Sequence, residues 1–427
     1  MNLLFGDRPG QRGGLFAMSQ VIYFDHAATT PLHPQVLEAM LPYLGERFGN
    51  PSGTYALARE AQRALDQARR SAAEVLGCRS TEVVFTSGGS ESINAALKGV
   101  AFAQKKARVG DHVVTTAVEH HAVLHTCEYL EKFGFEVTYV PVDRHGLVDL
   151  DEIARAVNER TVLVSVMAAN NEVGTIEPVA EIERVLRERG RALGRRIPLH
   201  TDAVQAPGVL DLSVEALGVD LLSLSAHKFH GPKGVGVLYV RRGTPFLPQQ
   251  SGGGQERQRR AGTEDVAGIV GTGLALRLAE EGRDANCRVC RVLRDRLAEG
   301  ILKRIPDSQP NGHPEQRLAN NVNVSFRGVE GEALLARLDE VGIAASSGAA
   351  CGSSTWEPSH VLVAMGLPLE LAVGSLRLTL GPSNTEEEVD QFLSVLPDLV
   401  RSLRDGAGSG PSAGRAGSRK AVPSRTQ

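Results

Sequence analysis

Three short stretches set reactive side chains directly behind apolar, β-branched runs. The first is Thr86-Ser87-Gly88-Gly89-Ser90-Glu91. Small residues at a strand-to-helix junction let backbone N–H groups gather round a phosphate, with Ser hydroxyls as extra donors. The same stretch also reads as an ordinary turn with a Ser N-cap. It has neither the Walker A nor the GxGxxG spacing, so a nucleotide site is not favoured. The second, His200-Thr201-Asp202-Ala203-Val204-Gln205, closes another apolar run with an acid. The third is Ser225-Ala226-His227-Lys228-Phe229-His230-Gly231-Pro232-Lys233-Gly234. Lys228 stands between an apolar strand and tight turns, a setting that desolvates an amine, lowers its pKa and frees its lone pair for Schiff-base chemistry. Lys233 is a rival, but its Gly-Pro-Lys-Gly context reads as a turn. Lysine is scarce, 8 residues beside 39 Arg, so amine nucleophiles have few candidates. A Lys for an aldehyde, an Asp for a pyridinium nitrogen and a phosphate cradle together match what pyridoxal-phosphate chemistry requires.

The elements that must position these groups follow from periodicity. Short β-branched runs at 82–86, 112–116, 136–142, 162–167, 198–202, 221–225 and 236–240 read as seven strands. Amphipathic stretches of helix length at 55–76, 91–104, 121–133 and 179–189 fall between several of them. That alternation predicts an α/β fold, a mostly parallel sheet with helices on its faces. Ligands of such sheets gather at the C-terminal ends of the strands, where the three stretches lie. After Gly252-Gly253-Gly254 the pattern changes to a long helix at about 266–304, a strand at 321–326 and helices near 331–341 and 385–404, a smaller α+β domain.

The chain has 427 residues, 42% hydrophobic and 23% charged, enough for a large two-domain enzyme. Lys plus Arg number 47 against 50 acidic residues, a net charge of −3, which argues against an electrostatic nucleic-acid binder. No apolar run reaches the ~18 residues of a membrane span. Five Cys is a sparse, odd set that suits free thiols, and with no secretory pattern at the start it predicts a cytoplasmic enzyme. Cys287-Arg288-Val289-Cys290 has redox spacing but no second pair, and at helical i, i+3 spacing it reads as two small apolar residues on one face. The histidines give no metal constellation, so no metal is expected. The Gly- and Ser-rich segment from 406 to 427 reads as a solvated tail. Within Ser346-Ser347-Gly348-Ala349-Ala350-Cys351-Gly352-Ser353-Ser354, small polar flanks suggest an exposed loop and an accessible thiol.

Seven motifs then occur in a telling order. They are Asp25-His26-Ala27-Ala28-Thr29-Thr30-Pro31, the stretch from Thr86, Glu119-His120-His121-Ala122-Val123, Asn170-Asn171-Glu172-Val173-Gly174, the two stretches holding Asp202 and Lys228, and the segment 252–263. Over about residues 20–400 the chain resembles the cysteine desulfurases of the NifS/IscS type, among the class-V aminotransferase-like, fold-type I pyridoxal-phosphate enzymes. The resemblance implies a flexible extension at 1–20, a large cofactor-binding domain at 21–275, a small domain at 276–405 carrying the Cys loop, and a disordered tail at 406–427. It implies that Lys228 holds pyridoxal 5'-phosphate and shuttles a proton, that Asp202 keeps the ring nitrogen protonated, that Gln205 bonds the phenolic oxygen and that His120 stacks on the ring. Gly89, Ser90, Ser225 and His227 would hold the phosphate, with Thr263 reaching it from the neighbouring subunit of a homodimer. Asn171, beside the cofactor, and Arg377 would bind the substrate carboxylate, a task suited to a guanidinium fork. By itself, Arg377 in its apolar run could equally be a surface residue.

The activity so implied converts L-cysteine to L-alanine and leaves the sulfur as a persulfide on Cys351, for iron–sulfur cluster or other sulfur-transfer biosynthesis through an acceptor protein. Trp356-Glu357-Pro358-Ser359-His360 continues in the manner of the long-loop subgroup, which passes sulfur directly to scaffold or carrier proteins. His26 stands where the family commonly has Asn, and Ala349 where it has Ser; neither change removes a group the chemistry needs. Selenocysteine lyase shares the fold, cofactor and most motifs. An aminotransferase-like enzyme or a non-catalytic sulfur-relay protein on the same fold are the further alternatives.

Overall fold

The structure, a computed structural model, describes residues 21–348 and 358–408. Its strands are β1 (Ile22–Tyr23), β2 (Val83–Thr86), β3 (His112–Thr116), β4 (Glu136–Val140), β5 (Thr161–Ser165), β6 (Leu199–Asp202), β7 (Leu221–Ser225), β8 (Gly236–Val240), β9 (Ser308–Pro310), β10 (Asn321–Phe326), β11 (Ile343–Ala344) and β12 (Ser375–Thr379). Seven of them form one sheet in the order β2-β8-β7-β6-β5-β3-β4. All its strands run parallel except β8, which is antiparallel to both β2 and β7. Helices cover both faces, so β2, β3, β5, β7 and β8 are buried at every residue and do not alternate between apolar and polar faces. Edge strand β4 is only partly covered, with Glu136 turned to solvent.

The helix Ala56–Leu76 carries Ala at 58, 61, 68 and 72 on its buried face and ends at Gly77, which takes the left-handed conformation (φ 63°). That small-residue face lets it approach the helix Val266–Arg304 closely. A Cβ on Gly273 would lie 2.7 Å from Ala68 Cα and 2.9 Å from its carbonyl oxygen. Both are backbone atoms, so the contact relaxes only if a helix moves. Gly273→Ala gains about 0.5–1 kcal/mol of helix propensity, but overpacking costs about 1–3 kcal/mol. The variant is expected to denature at lower temperature than the wild type, as calorimetry would show; a higher midpoint would refute the close packing.

The helix Val266–Arg304 runs through two apolar cores. Ile269, Ala275 and Leu276 belong to the core under the large sheet, while Cys290, Leu293, Leu297 and Ile301 belong to a second one. The second core is built on the antiparallel sheet β12-β10-β9, with Phe326, Leu376 and Leu378, and on the helix Glu386–Gly408, with Phe392 and Leu396. Ile22 and Phe24, from the start of the described chain, are buried in it as well. β1 pairs in parallel with β11, and Asp25 bridges to Thr379 at the end of β12. The chain therefore passes from the second core to the rim of the large sheet at residues 25–30. This crossing brings β12 to the C-terminal ends of the parallel strands.

Candidate active site

A cavity of about 470 Å³ opens at those strand ends, between the large sheet and β12. Of the residues singled out from sequence, Gly89, Ser90, His120, Asn171, Asp202, Gln205, Ser225, His227, Lys228 and Arg377 all line it. Thr263 is exposed and lies outside this chain's own cavity. Cys351 falls outside the described residues.

Lys228 ends a single 3-10 turn, Ala226–Lys228, immediately after β7. Its Nζ donates to the carbonyls of Ala27 at 2.6 Å and Ala28 at 2.7 Å, so the strand-end loop of the large sheet and the segment after β1 meet at this amine. Burial, assisted by the charge of Arg377, lowers its pKa to about 8, while Asp25 and Asp202 act in the opposite sense. Asp202 closes β6, buried, with Oδ1 accepting from Val204 N at 3.0 Å. Burial raises its carboxyl to about 6 against the pull of that N–H and of Lys228. A cationic ring nitrogen brought to this carboxylate would remove the penalty of burying it unpaired.

The opposite wall is the N-terminus of the helix Gly89–Lys106, which follows β2 through Ser87 and Gly88. Gly88 has φ 151°, a conformation that side chains rarely adopt. At Gly89 a Cβ would lie 3.0 Å from Val204 and 3.3 Å from Ser225, filling the space in front of the first helical turn. The first N–H groups of an 18-residue helix, the hydroxyls of Ser90 and Ser225 and the imidazole of His227 therefore bound a polar cradle suited to a phosphate. His227 is fixed by Thr29 Oγ1 at 3.1 Å, and burial lowers its pKa to about 4.

His120 caps the helix His121–Glu131, its Nδ1 accepting from Ala122 N at 3.0 Å, which places the proton of the neutral ring on Nε2. Burial, with the neighbouring charge of Lys228, lowers it to about 4, so the ring stays uncharged at neutral pH. Gln205 Nε2 donates to Ala27 O at 3.1 Å and keeps a second N–H for another acceptor. Arg377 reaches in from the middle of β12. It is held by Asp25 Oδ1 at 2.8 Å and by the carbonyl of Asn171 at 3.1 Å, and its buried Nε has no partner. A guanidinium pinned on one side and unsatisfied on another is poised for a carboxylate.

Sequence reasoning assigned no part to Asp25, Glu119, Glu172 or His360. Asp25 belongs to a quoted motif, yet its partner Arg377 lies 352 residues away. Glu119 is fully buried, accepting from Thr116 Oγ1 and Met167 N, and burial holds its carboxyl well above the usual range. His360 bonds Glu119 O at 2.9 Å and packs its ring 4.5 Å from that of His121. Among the described residues no group of His, Cys, Asp or Glu could hold a metal ion, and no helix is long and apolar enough to cross a membrane.

The Aminotransferase class-V family model matches residues 22–392, which take in the core of the large sheet, most of the second core and every residue of the cavity. The chain is similar to the cysteine desulfurase IscS of Methanosarcina thermophila, 52% identical over 91% of this chain and 94% of that one. It belongs to the cysteine desulfurase family. A solved NifS-like protein superposes with a TM-score of 0.83 at 41% identity, covering 90% of this chain and all of the other. The structure of SspA in complex with cysteine matches with a TM-score of 0.73 at 36% identity, over 85% of this chain and all of the other. The fold is thus that of the cysteine desulfurases, with the large mostly parallel sheet of fold-type I enzymes. The family implies a pyridoxal-phosphate cofactor, and the cavity fits one. The cradle at Gly89, the buried Asp202 and the lowered Lys228 answer to a phosphate, a ring nitrogen and an aldehyde.

Proposed function

We propose that this desulfurase takes sulfur from L-cysteine, releases L-alanine and holds the sulfur as a persulfide on Cys351 for delivery to an acceptor protein, as the IscS name of its relatives suggests for iron–sulfur cluster assembly. The observation that carries this reading is the meeting of Lys228, Asp202, the Gly89 cradle and Arg377 in one cavity. Pyridoxal phosphate, when bound, supplies an electron sink for the carbanion left at the substrate Cα. The chain's residues do the rest. Arg377 and Asn171 would orient the substrate carboxylate, and His120 would cover a bound ring. Asp202 would hold a proton on its ring nitrogen, and Lys228 would carry the Cα proton. Cys351, as a thiolate, attacks the substrate sulfur. The S–S bond forms as the C–S bond breaks, and that electron pair leaves with the alanine carbon skeleton.

The division into a large domain at 21–275 and a small one at 276–405 belongs to this proposal, the small one bringing Arg377 and Cys351 to a rigid cofactor site. So does a homodimer. Leu37, Leu41 and Leu44 of the helix Pro34–Leu44 and Phe48 and Tyr55 after it are exposed apolar side chains, and Thr263 is exposed where a second copy could use it.

Purified protein loaded with pyridoxal phosphate and given L-cysteine is expected to release one L-alanine per sulfur transferred to a thiol reductant. Amino transfer that depends on an added keto acid, or alanine made from L-selenocysteine but not from L-cysteine, would refute the assignment.

A further inference from the structure

Glu172 is the carboxylate of the cavity wall that the chemistry above leaves unused, and its surroundings assign it a task. It is 3% exposed and lines the cavity beside Arg377. Its backbone is fixed from three sides. The N–H donates to Asn170 Oδ1 at 2.9 Å, and the carbonyl accepts from Asn321 at 3.3 Å and from Asn323 at 3.1 Å, both buried on β10.

The side chain meets two points that are distant from it in sequence. Ser359 Oγ donates to Glu172 Oε2 and in turn accepts from Leu362 N at 3.2 Å, capping the helix His360–Ala364. Gly348, at φ 85°, faces the same carboxylate oxygen, to which an added Cβ would come within 3.0 Å. Gly348 is itself strapped down: Ser347 O accepts from Ser375 at 3.1 Å, and Ser346 exchanges backbone hydrogen bonds with Arg377. One carboxylate oxygen therefore bonds Ser359 and leaves no room for a side chain at Gly348, and Cys351 stands three residues beyond Gly348.

We propose that Glu172 is a positioning residue for sulfur abstraction, its carboxylate bonding Ser359 and facing the side-chain-free Gly348, and so setting the two points from which the chain delivers the Cys351 thiol to the bound substrate. The inference rests on the reading of Cys351 as the nucleophile. Glu172 touches no reacting atom, and its effect is on geometry, where a displacement of about 1 Å costs on the order of 10²-fold in rate.

The test uses the full-length, cofactor-loaded enzyme and four variants: Glu172→Ala, Glu172→Gln, Ser359→Ala and the double Glu172→Ala/Ser359→Ala. In Glu172→Ala the visible spectrum, its change on adding L-cysteine and the KM should stay close to wild type. The first-turnover formation of alanine should fall roughly 10²-fold. Glu172→Gln, whose amide oxygen still accepts from Ser359, should recover part of that loss. Ser359→Ala should lose rate as well, and the double variant should be no slower than the slower single one, since both remove the same tie. The proposal is overturned by wild-type first-turnover rates in Glu172→Ala, by additive losses in the double variant, or by a spectrum lost in step with activity in Glu172→Gln and Ser359→Ala. Failure of the wild type itself to form alanine from cysteine would instead remove the underlying reading.

Discussion

Replacing Cys351 with Ala is expected to leave the protein coloured and still responsive to L-cysteine in its absorbance, while alanine formation falls to background, at least about 10³-fold. The size of the effect follows from the inventory of thiols. The described cysteines are Cys78, Cys127, Cys287 and Cys290, and none lines the large cavity. Cys127 is fully buried, and burial pushes the Cys78 thiol up to about 12. Cys287 and Cys290 face a separate cavity of about 70 Å³ on the far side of Lys228. Burial raises both thiols, Cys290 to about 11, and Cys287 donates to Val209 O at 3.4 Å. The nucleophile in thiol chemistry is the thiolate, so none of these can stand in at neutral pH. The groups that hold cofactor and substrate carboxylate belong to other residues and are untouched by the substitution. Chromatography of alanine, read beside the absorbance spectrum, separates the two effects. A variant that makes alanine at the wild-type rate, or one that loses its colour with its activity, would refute the assigned role.

The half of the site that stands on the large sheet was legible because its signals are local. β7, β8 and β10 end at the residues where their apolar runs end; Asp202 closes its strand and Lys228 follows its own by three residues. The helix after β2 begins at Gly89 rather than at Glu91, since Gly89 and Ser90 join its first turn, with Gly88 just outside it. The half contributed by the second core was harder to read. Arg377 stands in an apolar strand, and its burial against the Asn171 carbonyl and Asp25, the latter brought there by the passage of residues 22–25 through the second core, separates a functional guanidinium from a surface one. Glu172 was hidden for the same reason, since Ser359 lies 187 residues away and no spacing rule links them. Local pattern shows which residues can do chemistry; long-range pairing shows which of them hold the others in place.

Lys228→Ala carries the other large expectation. Unshifted, a lysine at pH 7 is free amine to roughly 0.03%, whereas one lowered to about 8 is free to roughly a tenth. Burial in the cavity thus raises the reactive fraction by some two to three orders of magnitude. The apoprotein is expected to capture pyridoxal phosphate faster as pH rises through about 8, because below that value the ammonium form predominates. Stopped-flow absorbance between pH 6 and 9 measures the rate, and a flat profile would contradict the lowered amine. Lys233, exposed in its turn, gives the contrast. Lys233→Ala should still yield a borohydride-fixed adduct, and Lys228→Ala should yield none. Loss of the Cα proton carrier alone should slow alanine formation by about 10²–10⁴-fold. The geometry also says what else leaves with the amine. Its two hydrogen bonds, to Ala27 and Ala28, are shared with the segment that places Asp25 against Arg377. Lys228→Ala should therefore also raise the KM for cysteine, and Lys228→Arg, which retains donors but not a free amine, should restore KM without restoring the rate.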